Sequence, residues 1–445
     1  MQPEPTMPAD PQEVLNSWKE IAAFLDVSIR TAQLWEEERG LPVRRVPGAK
    51  GRVFAYPNDL RAWREGTLPP PAVPDEPPPP PPPPPRRRWL YWAAPAVLAL
   101  AALLVWYAGR PRGVPSSCQV EGQSLIVRNA EGRILWTHRF SQVPDRSWEK
   151  GETFSAPFFS DIDADGEQEL LFPFNTGGVN SPGNGEFYCF SSSGDRKWSY
   201  RLNRTVRFAS GQRQAPPYAA RLAARVPDPA GGPDRILVAF THATDCPSAA
   251  ILLDAGGRLL RQYWHAGHFN ALLVDDLVPG PGPEIYLGAI SNAHKQASLI
   301  ALDPESFDGA AAESDPRFRI LDMPAPRELC RLLFNRLSPG SLFADFGMVY
   351  SLRHHGGDLV VGLAEGSSEG QLLVQMITFG PRLVLRDLSF ASMTYATYRR
   401  LHAEGRIRTD SPDPEIRALR QLRYLTPWTP APAPPPRRRR WAARA

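Results

Sequence analysis

The sequence predicts a multidomain chain: a small helical domain with a β-wing, then one transmembrane helix, then an all-β, propeller-like domain. Three observations predict it. A 20-residue stretch without a charge, Trp89–Ala108, lies well inside the 445-residue chain. Before it, two short helical patterns with capping residues are joined by a tight turn. After it, strand–turn–strand patterns recur, and their turn glycines Gly132, Gly194 and Gly256 stand 62 residues apart.

Residues 1–14 are expected to be disordered, and the first domain to occupy 15–66. Asn16 or Ser17 caps a helix, with Glu20 three residues after Ser17 as a capping box. Ile21, Phe24 and Leu25 form its apolar stripe. "DVS" makes a turn, Ser28 caps a second helix, and Thr31 or Ala32 with Trp35 faces inward. Gly40 ends that helix and Pro42 prevents its continuation. This is the helix-turn-helix pattern. In "VRRVPGAKGRVFAY" two β runs flank Pro47-Gly48 and Lys50-Gly51, which suggests a hairpin or wing. "PNDLRAW" opens a third helix, with Asn58 as cap and Leu60 and Trp63 inward.

This order of elements resembles the MerR-like and excisionase-like winged helix-turn-helix domains. Their run of a "GVS" turn followed by "RT…W" is matched by "DVSIRTAQLW", with Asp26 in place of the usual glycine. The resemblance implies that the second helix enters the major groove. Ser28, Arg30, Thr31 and Gln33 would then reach base edges and phosphates, and Arg44, Arg45, Lys50 and Arg52 on the wing would neutralise phosphates. Against this, Glu36, Glu37 and Glu38 end the recognition helix, and residues 1–66 carry 9 basic and 10 acidic groups. The net charge of the whole chain is only +4. DNA contact must therefore rest on a local patch and on dimerisation. The alternative is a helix-turn-helix that binds protein, as in a scaffold with the layout of the cell-shape protein RodZ.

The chain has 50 prolines, well above the usual share of about 5%. Many fall in a linker over 67–88, where Pro77–Pro85 are consecutive. That run is an extended spacer of about 28 Å; the alternative is a docking site for a proline-binding module. The membrane segment, 89–108, follows directly. At about 1.5 Å per residue it spans roughly 30 Å, the thickness of a hydrocarbon core. Trp89, Tyr91 and Trp92 stand at one end and Trp106 and Tyr107 at the other, as interfacial aromatics do. Arg86, Arg87 and Arg88 precede it, against Arg110 and Arg112 after it, which favours a cytoplasmic N-terminus. All four cysteines, Cys118, Cys189, Cys246 and Cys330, follow it. That suits a disulfide-permissive outer compartment, with room for two disulfides of unreadable pairing. A bacterial inner membrane, single pass, with the C-terminus outside, is the expected location.

Residues 114–392 read as all-β. "QSLIVRNAEGRILWTHRF", "GEFYCFSSSGDRKWSYRL" and "AAILLDAGGRLLRQYW" are successive hairpins, and Trp136 and Trp198 share the glycine spacing. Runs of a second kind alternate with them: "FFSDIDADGEQELLFPF", "RVPDPAGGPDRILVAF" and "LLVDDLVPGPGPEIYLGAI". Two hairpin types in alternation give four strands per unit, which fits a propeller blade. A pair of β-sandwiches is the alternative. In "DIDADGEQE", Asp161, Asp163, Asp165 and Glu169 present hard oxygen ligands on a tight loop, with Gly166 at the bend. The stretch resembles the FG-GAP or VCBS loop of β-propellers, and that resemblance implies calcium as a cofactor. A plain acidic β-turn is the alternative. The other two runs have lost carboxylates.

"GSSEG" at 366–370 fits GxSxG, but a strand-like run follows, where a nucleophile elbow needs a helix. His265 and His268 form HxxH without a further ligand cluster, and His354-His355 adjoin a glycine turn. No nucleophile, cofactor fingerprint or phosphate loop emerges, so an enzyme is not expected. Residues 393–426 read as a helical extension and 427–445 as a proline- and arginine-rich tail, either solvated or touching anionic lipid. The expected partners are DNA, the membrane, a second copy of the chain, and an extracytoplasmic ligand or protein whose chemistry is not readable.

Overall fold

The computed structural model describes residues 14–45, 52–66, 113–150, 155–176, 185–280, 282–366 and 372–430. The expected linker and transmembrane segment lie outside the described residues, as do Lys50 and residues 431–445. Among the described residues no helix is long and apolar enough to cross a membrane. The chain divides into two units, residues 1–98 and 99–445.

In the first unit, helix α1 is Trp18–Leu25. The Ser17 hydroxyl accepts the Glu20 N–H at 3.3 Å, and the Glu20 carboxylate accepts the Asn16 N–H at 2.7 Å. Asp26 then closes the helix in the left-handed region, φ 57°. This is why an aspartate can stand where a glycine is usual: short polar side chains tolerate that conformation better than other non-glycine residues. Helix α2, Ile29–Arg39, starts at Ser28, whose hydroxyl accepts the Thr31 N–H at 3.1 Å, and ends at Gly40, φ 62°. Strands β1 (Arg44–Arg45) and β2 (Val53–Phe54) pair antiparallel. Helix α3, Pro57–Arg64, is entered from Tyr56 with Pro57 in the first helical position. Asn58 is therefore inside the first turn and not its cap; its side-chain oxygen accepts from Arg61 at 3.0 Å. Proline's fixed φ and missing N–H suit that first position. Ile21, Leu25, Ala32, Leu41, Val53 and Leu60 form the core. Trp35 and Trp63 pack on it at 5.7 Å between ring centres.

The second unit is β-propeller-like. Its described residues form five successive sheets, antiparallel apart from one short edge strand. The first holds β3 (Pro115–Glu121), β4 (Ser124–Asn129) and β5 (Ile134–Arg139). The second holds β6 (Phe158–Ser160), β7 (Glu169–Phe174), β8 (Glu186–Phe190) and β9 (Arg196–Arg201). A two-stranded ribbon, β10 (Val206–Arg207) and β11 (Arg213–Gln214), intervenes. The third sheet runs β12 (Tyr218–Val226), β13 (Arg235–His242), β14 (Ser248–Leu253) and β15 (Leu259–His265). The fourth begins β16 (Gly267–Asp275), β17 (Glu284–Ser291) and β18 (Gln296–Leu302). After these, β19 (Gly309–Ala310) returns to the edge of the third sheet as a parallel strand, and β20 (Cys330–Leu333) extends the fourth. The fifth sheet holds β21 (Met348–His355), β22 (Asp358–Gly366), β23 (Leu372–Gly380) and β24 (Val384–Phe390). Helices α4 (Ser392–Ala403) and α5 (Ile416–Leu419) follow. The residues after them are not all helical: β25, Arg423–Thr426, pairs with β20 and completes the fourth sheet.

Strand alternation sends neighbouring residues to opposite faces, and here both faces of the middle sheets meet another sheet. Leu170 and Phe172 face the first sheet, while Leu171 faces the third. Ile236, Val238 and Phe240 face the second sheet, and Leu237 and Ala239 the fourth. That double burial is why "ILVAF" and "IYLGAI" read as unbroken apolar runs. Four buried clusters fill the four spaces between successive sheets. Among the described residues none of these clusters joins the fifth sheet to the first.

The repeated tryptophans lock neighbouring sheets. Trp136 lies on Gly194 and donates its indole N–H to the Ser192 carbonyl at 3.0 Å; Trp198 lies on Gly257 and donates to Ala255 at 2.8 Å. The third turn glycine is Gly257 and not Gly256. Its N–H returns to Asp254 as those of Gly132 and Gly194 return to Asn129 and Ser191, and its φ of 78° matches theirs.

The four cysteines are free. Cys189 and Cys330 lie in different buried clusters, so no pairing between them is available. Burial pushes every one of the four thiols up to about 12, with a nearby carboxylate adding to it at each. They are apolar packing groups and not reactive thiolates.

Candidate nucleic-acid interface and acidic loop

The exposed start of α2 gathers four of the residues expected to meet DNA. Ser28, Arg30 and Gln33 are exposed, and Thr31 is half-buried with its hydroxyl 2.7 Å from that of Ser28. Both hydroxyls therefore serve the turn as well as the surface. Ile29 and Leu34 on the same helix are also exposed. On the ladder, Arg44 stacks on the Tyr56 ring at 5.3 Å and lies 3.6 Å from Asp59. Arg45 is bound to both oxygens of Glu36, at 2.9 and 3.1 Å. That pair offsets part of the negative charge at the end of α2 and ties the ladder to the helix. Arg52 is exposed just before the second ladder strand; Lys50 lies outside the described residues.

In the second unit the structure brings three of the four expected metal ligands together. Acceptor atoms of Asp161, Asp163 and Glu169 lie within 4.8 Å of one another; Asp165 is not in that group. Asp161 is committed to the loop itself, accepting the N–H groups of Asp165 and Gly166 at 3.2 and 3.0 Å. Glu169 is buried and accepts the Ile162 N–H at 3.0 Å. A residue the sequence reading missed completes the cluster. Lys197, on β9, places its ammonium 2.6 Å from Asp163 and 2.9 Å from Glu169, with Asp165 at 3.9 Å. Burial pulls the lysine pKa down, but its hydrogen bonds to Asp163 and Glu169 raise it more, so it stays charged. These residues as arranged do not fit a calcium ion, because an ammonium holds the position between two of the three converging carboxylates.

The same strand position recurs in later sheets. Glu284 opens β17 as Glu169 opens β7, and it accepts the Leu277 N–H at 3.2 Å across the same seven-residue interval. Asp234, just before β13, is held by Arg225, and Asp358, opening β22, lies 2.6 Å from Arg386 on β24. Burial pushes Glu284 up to about 7 against the pull of backbone hydrogen bonds.

Two further polar clusters had no local signal. Strands β12 and β16 each carry a bulge, at Arg221 and Asn270. At the first, Arg221 donates to His268 Nε2 at 3.0 Å, and His268 Nδ1–H donates to Asp245 at 3.0 Å. The two histidines of HxxH thus have separate partners, since His265 turns elsewhere. It donates to the Ile290 carbonyl at 3.0 Å, and burial depresses its pKa to about 3. His354 binds Asp275 at 2.7 Å. The second cluster floors a cavity of about 400 Å³ lined by His294, Glu313, Glu328, Arg331, Arg423 and Thr426. Arg331 binds Glu313 at 2.8 Å, and the Tyr263 hydroxyl donates to Glu328 at 2.7 Å. Apart from Gly366, the "GSSEG" stretch lies outside the described residues.

No protein-family model matches the chain, and no curated protein matches it. Among solved structures it is similar to the Dos1 propeller, with 10% identity, a TM-score of 0.34, and 61% of this chain against 54% of that one. It is also similar to a GH43 β-1,3-galactosidase solved with galactodeoxynojirimycin, at 9% identity and a TM-score of 0.30 over 61% of this chain and 87% of that one. A third is a lignostilbene dioxygenase of Pseudomonas brassicacearum, at 10% identity and 0.21, covering 63% and 74%. The chain thus spans about half the length of the first of these.

Proposed function

We propose that this chain is a single-pass, membrane-anchored bacterial transcription regulator. Residues 15–66 form a winged helix-turn-helix that binds DNA as a homodimer from the cytoplasm. Residues 89–108 cross the inner membrane, and the propeller-like unit senses a ligand or protein outside. One observation carries the reading. Helix α2 projects Arg30 and Gln33 from a Ser28-capped start, beside a two-stranded ladder that bears Arg44, with Arg52 just before its second strand. A capped, exposed helix start flanked by a basic hairpin is the geometry that reads a major groove while gripping its phosphates.

The test is selection of random duplex DNA by the full-length chain in detergent, followed by sequencing. The expected result is an enriched operator, lost on Arg30→Ala, with a weaker salt dependence after Arg52→Ala. Enrichment of no sequence would remove the regulator reading.

A second reading has its own support. Exposed Ile29 and Leu34, with Glu37 and Glu38 beyond them, give α2 an apolar and acidic character that suits a protein partner. In that reading the chain is a membrane scaffold, and the same selection returns no operator.

A further inference from the structure

We infer that Lys197 is the resident cation of the acidic loop. It stands where the calcium ion expected at Asp161, Asp163, Asp165 and Glu169 would sit, and the loop folds without calcium. The argument is geometric. A calcium ion takes six to eight oxygens at about 2.3–2.6 Å. Oxygens around one such ion lie within roughly 5 Å of one another, and the acceptors of Asp161, Asp163 and Glu169 meet that limit. The Lys197 ammonium, however, is already 2.6 Å from Asp163 and 2.9 Å from Glu169. An ammonium with three donors needs only two or three acceptors, which is what the loop offers it. It arrives from β9, two strands from Glu169 in the same sheet. It is anchored there by Trp198, the next residue, whose indole is fixed on the third sheet.

The fifth sheet repeats the device. Asp358 opens its second strand and Arg386, on its fourth, supplies the cation at 2.6 Å. The second and fifth sheets thus pair an acid on the second strand with a basic residue on the fourth. In the third sheet the cation comes instead from the first strand, as Arg225 on Asp234. These sheets carry their counter-ions in the chain.

The test uses the full-length protein in detergent, with calcium and with a chelator, read by equilibrium dialysis of calcium and by thermal unfolding. The wild type is expected to bind no calcium at the loop and to melt at the same temperature in both. Lys197→Gln is expected to melt several degrees lower, whereas Lys197→Arg retains the wild-type behaviour. Stoichiometric calcium binding by the wild type, lost on Asp163→Asn, would overturn the proposal. So would a Lys197→Gln protein as stable as the wild type. If Lys197→Gln does not fold, the wild-type dialysis and Lys197→Arg still decide the matter.

Discussion

Glu169 and Glu284 occupy one position in two sheets and behave as different chemical groups. Each opens the second strand, each is buried, and each accepts a backbone N–H from the residue seven before it. Glu169 also has the Lys197 ammonium at 2.9 Å. Glu284 has instead the Tyr286 hydroxyl at 3.4 Å and acidic neighbours, Asp275 and Asp276. A buried carboxylate is tolerated when a cation compensates its desolvation; without one it retains its proton to higher pH. One repeat position is thus a fixed ion pair in the second sheet and a titratable acid in the fourth.

The sharpest way to break this comparison is to neutralise both acids in the same way. Glu169→Gln leaves the Lys197 charge with Asp163 and the more distant Asp165 in a half-buried site. The expected loss is about 2–4 kcal/mol, near the lower end for broken buried pairs because the lysine is partly exposed. Glu284→Gln replaces a group already partly protonated near neutrality by a neutral one of similar shape. Its expected cost at pH 7 is no more than about 1 kcal/mol. Urea unfolding of the two variants measures the difference. Equal losses would show that the ammonium does not distinguish the two sites.

A smaller effect tests the register that aligns the sheets. A Cβ at Gly194 would come within 2.6 Å of the Trp136 ring, and one at Gly257 within 2.6 Å of Trp198; both glycines have positive φ. Gly194→Ala and Gly257→Ala are each expected to cost about 1–3 kcal/mol. Gly256→Ala meets only the Asp254 carboxylate at 3.3 Å, without positive φ, and should cost under about 0.5 kcal/mol. Thermal unfolding of the three variants ranks them. A costly Gly256→Ala would restore the even spacing seen in the sequence.

That correction shows what was legible and what was not. Caps are local, so Ser17, Ser28 and Gly40 could be read from neighbouring residues, and Pro57 was an available signal that displaced Asn58 as the cap. The Trp136 and Trp198 repeat was visible as spacing, but the glycine each indole covers lies in the next sheet, and "GG" gave spacing no means of choosing. Strand β25 owes its form to pairing with β20, about 90 residues earlier in the chain, and its own four residues carry no such instruction. Lys197 escaped for the same reason, since nothing in "SGDRKWSY" names a carboxylate 28 residues before it. The acidic loop was found from its composition; the residue that decides its chemistry comes from the fold.

The smallest expected effect is the response of Glu284 to pH. Glu284 has a folded pKa raised to about 7, above its ordinary value, so the folded state binds that proton more tightly than the unfolded chain does. Its proton is held in both states below the unfolded pKa of about 4.3. As pH rises from there through about 7, only the folded state retains it, and stability falls; above 7 the loss is complete and constant. Glutamine cannot titrate, so the wild type should lose more stability than Glu284→Gln between pH 5 and 7, and the two curves should run parallel above that window. Chemical denaturation across that range measures it as a difference of slopes, which cancels every group common to both proteins. Parallel curves from pH 5 upward would mean that Glu284 is ionised in the folded protein. It would then need a cation of its own, and the contrast with Glu169 would disappear.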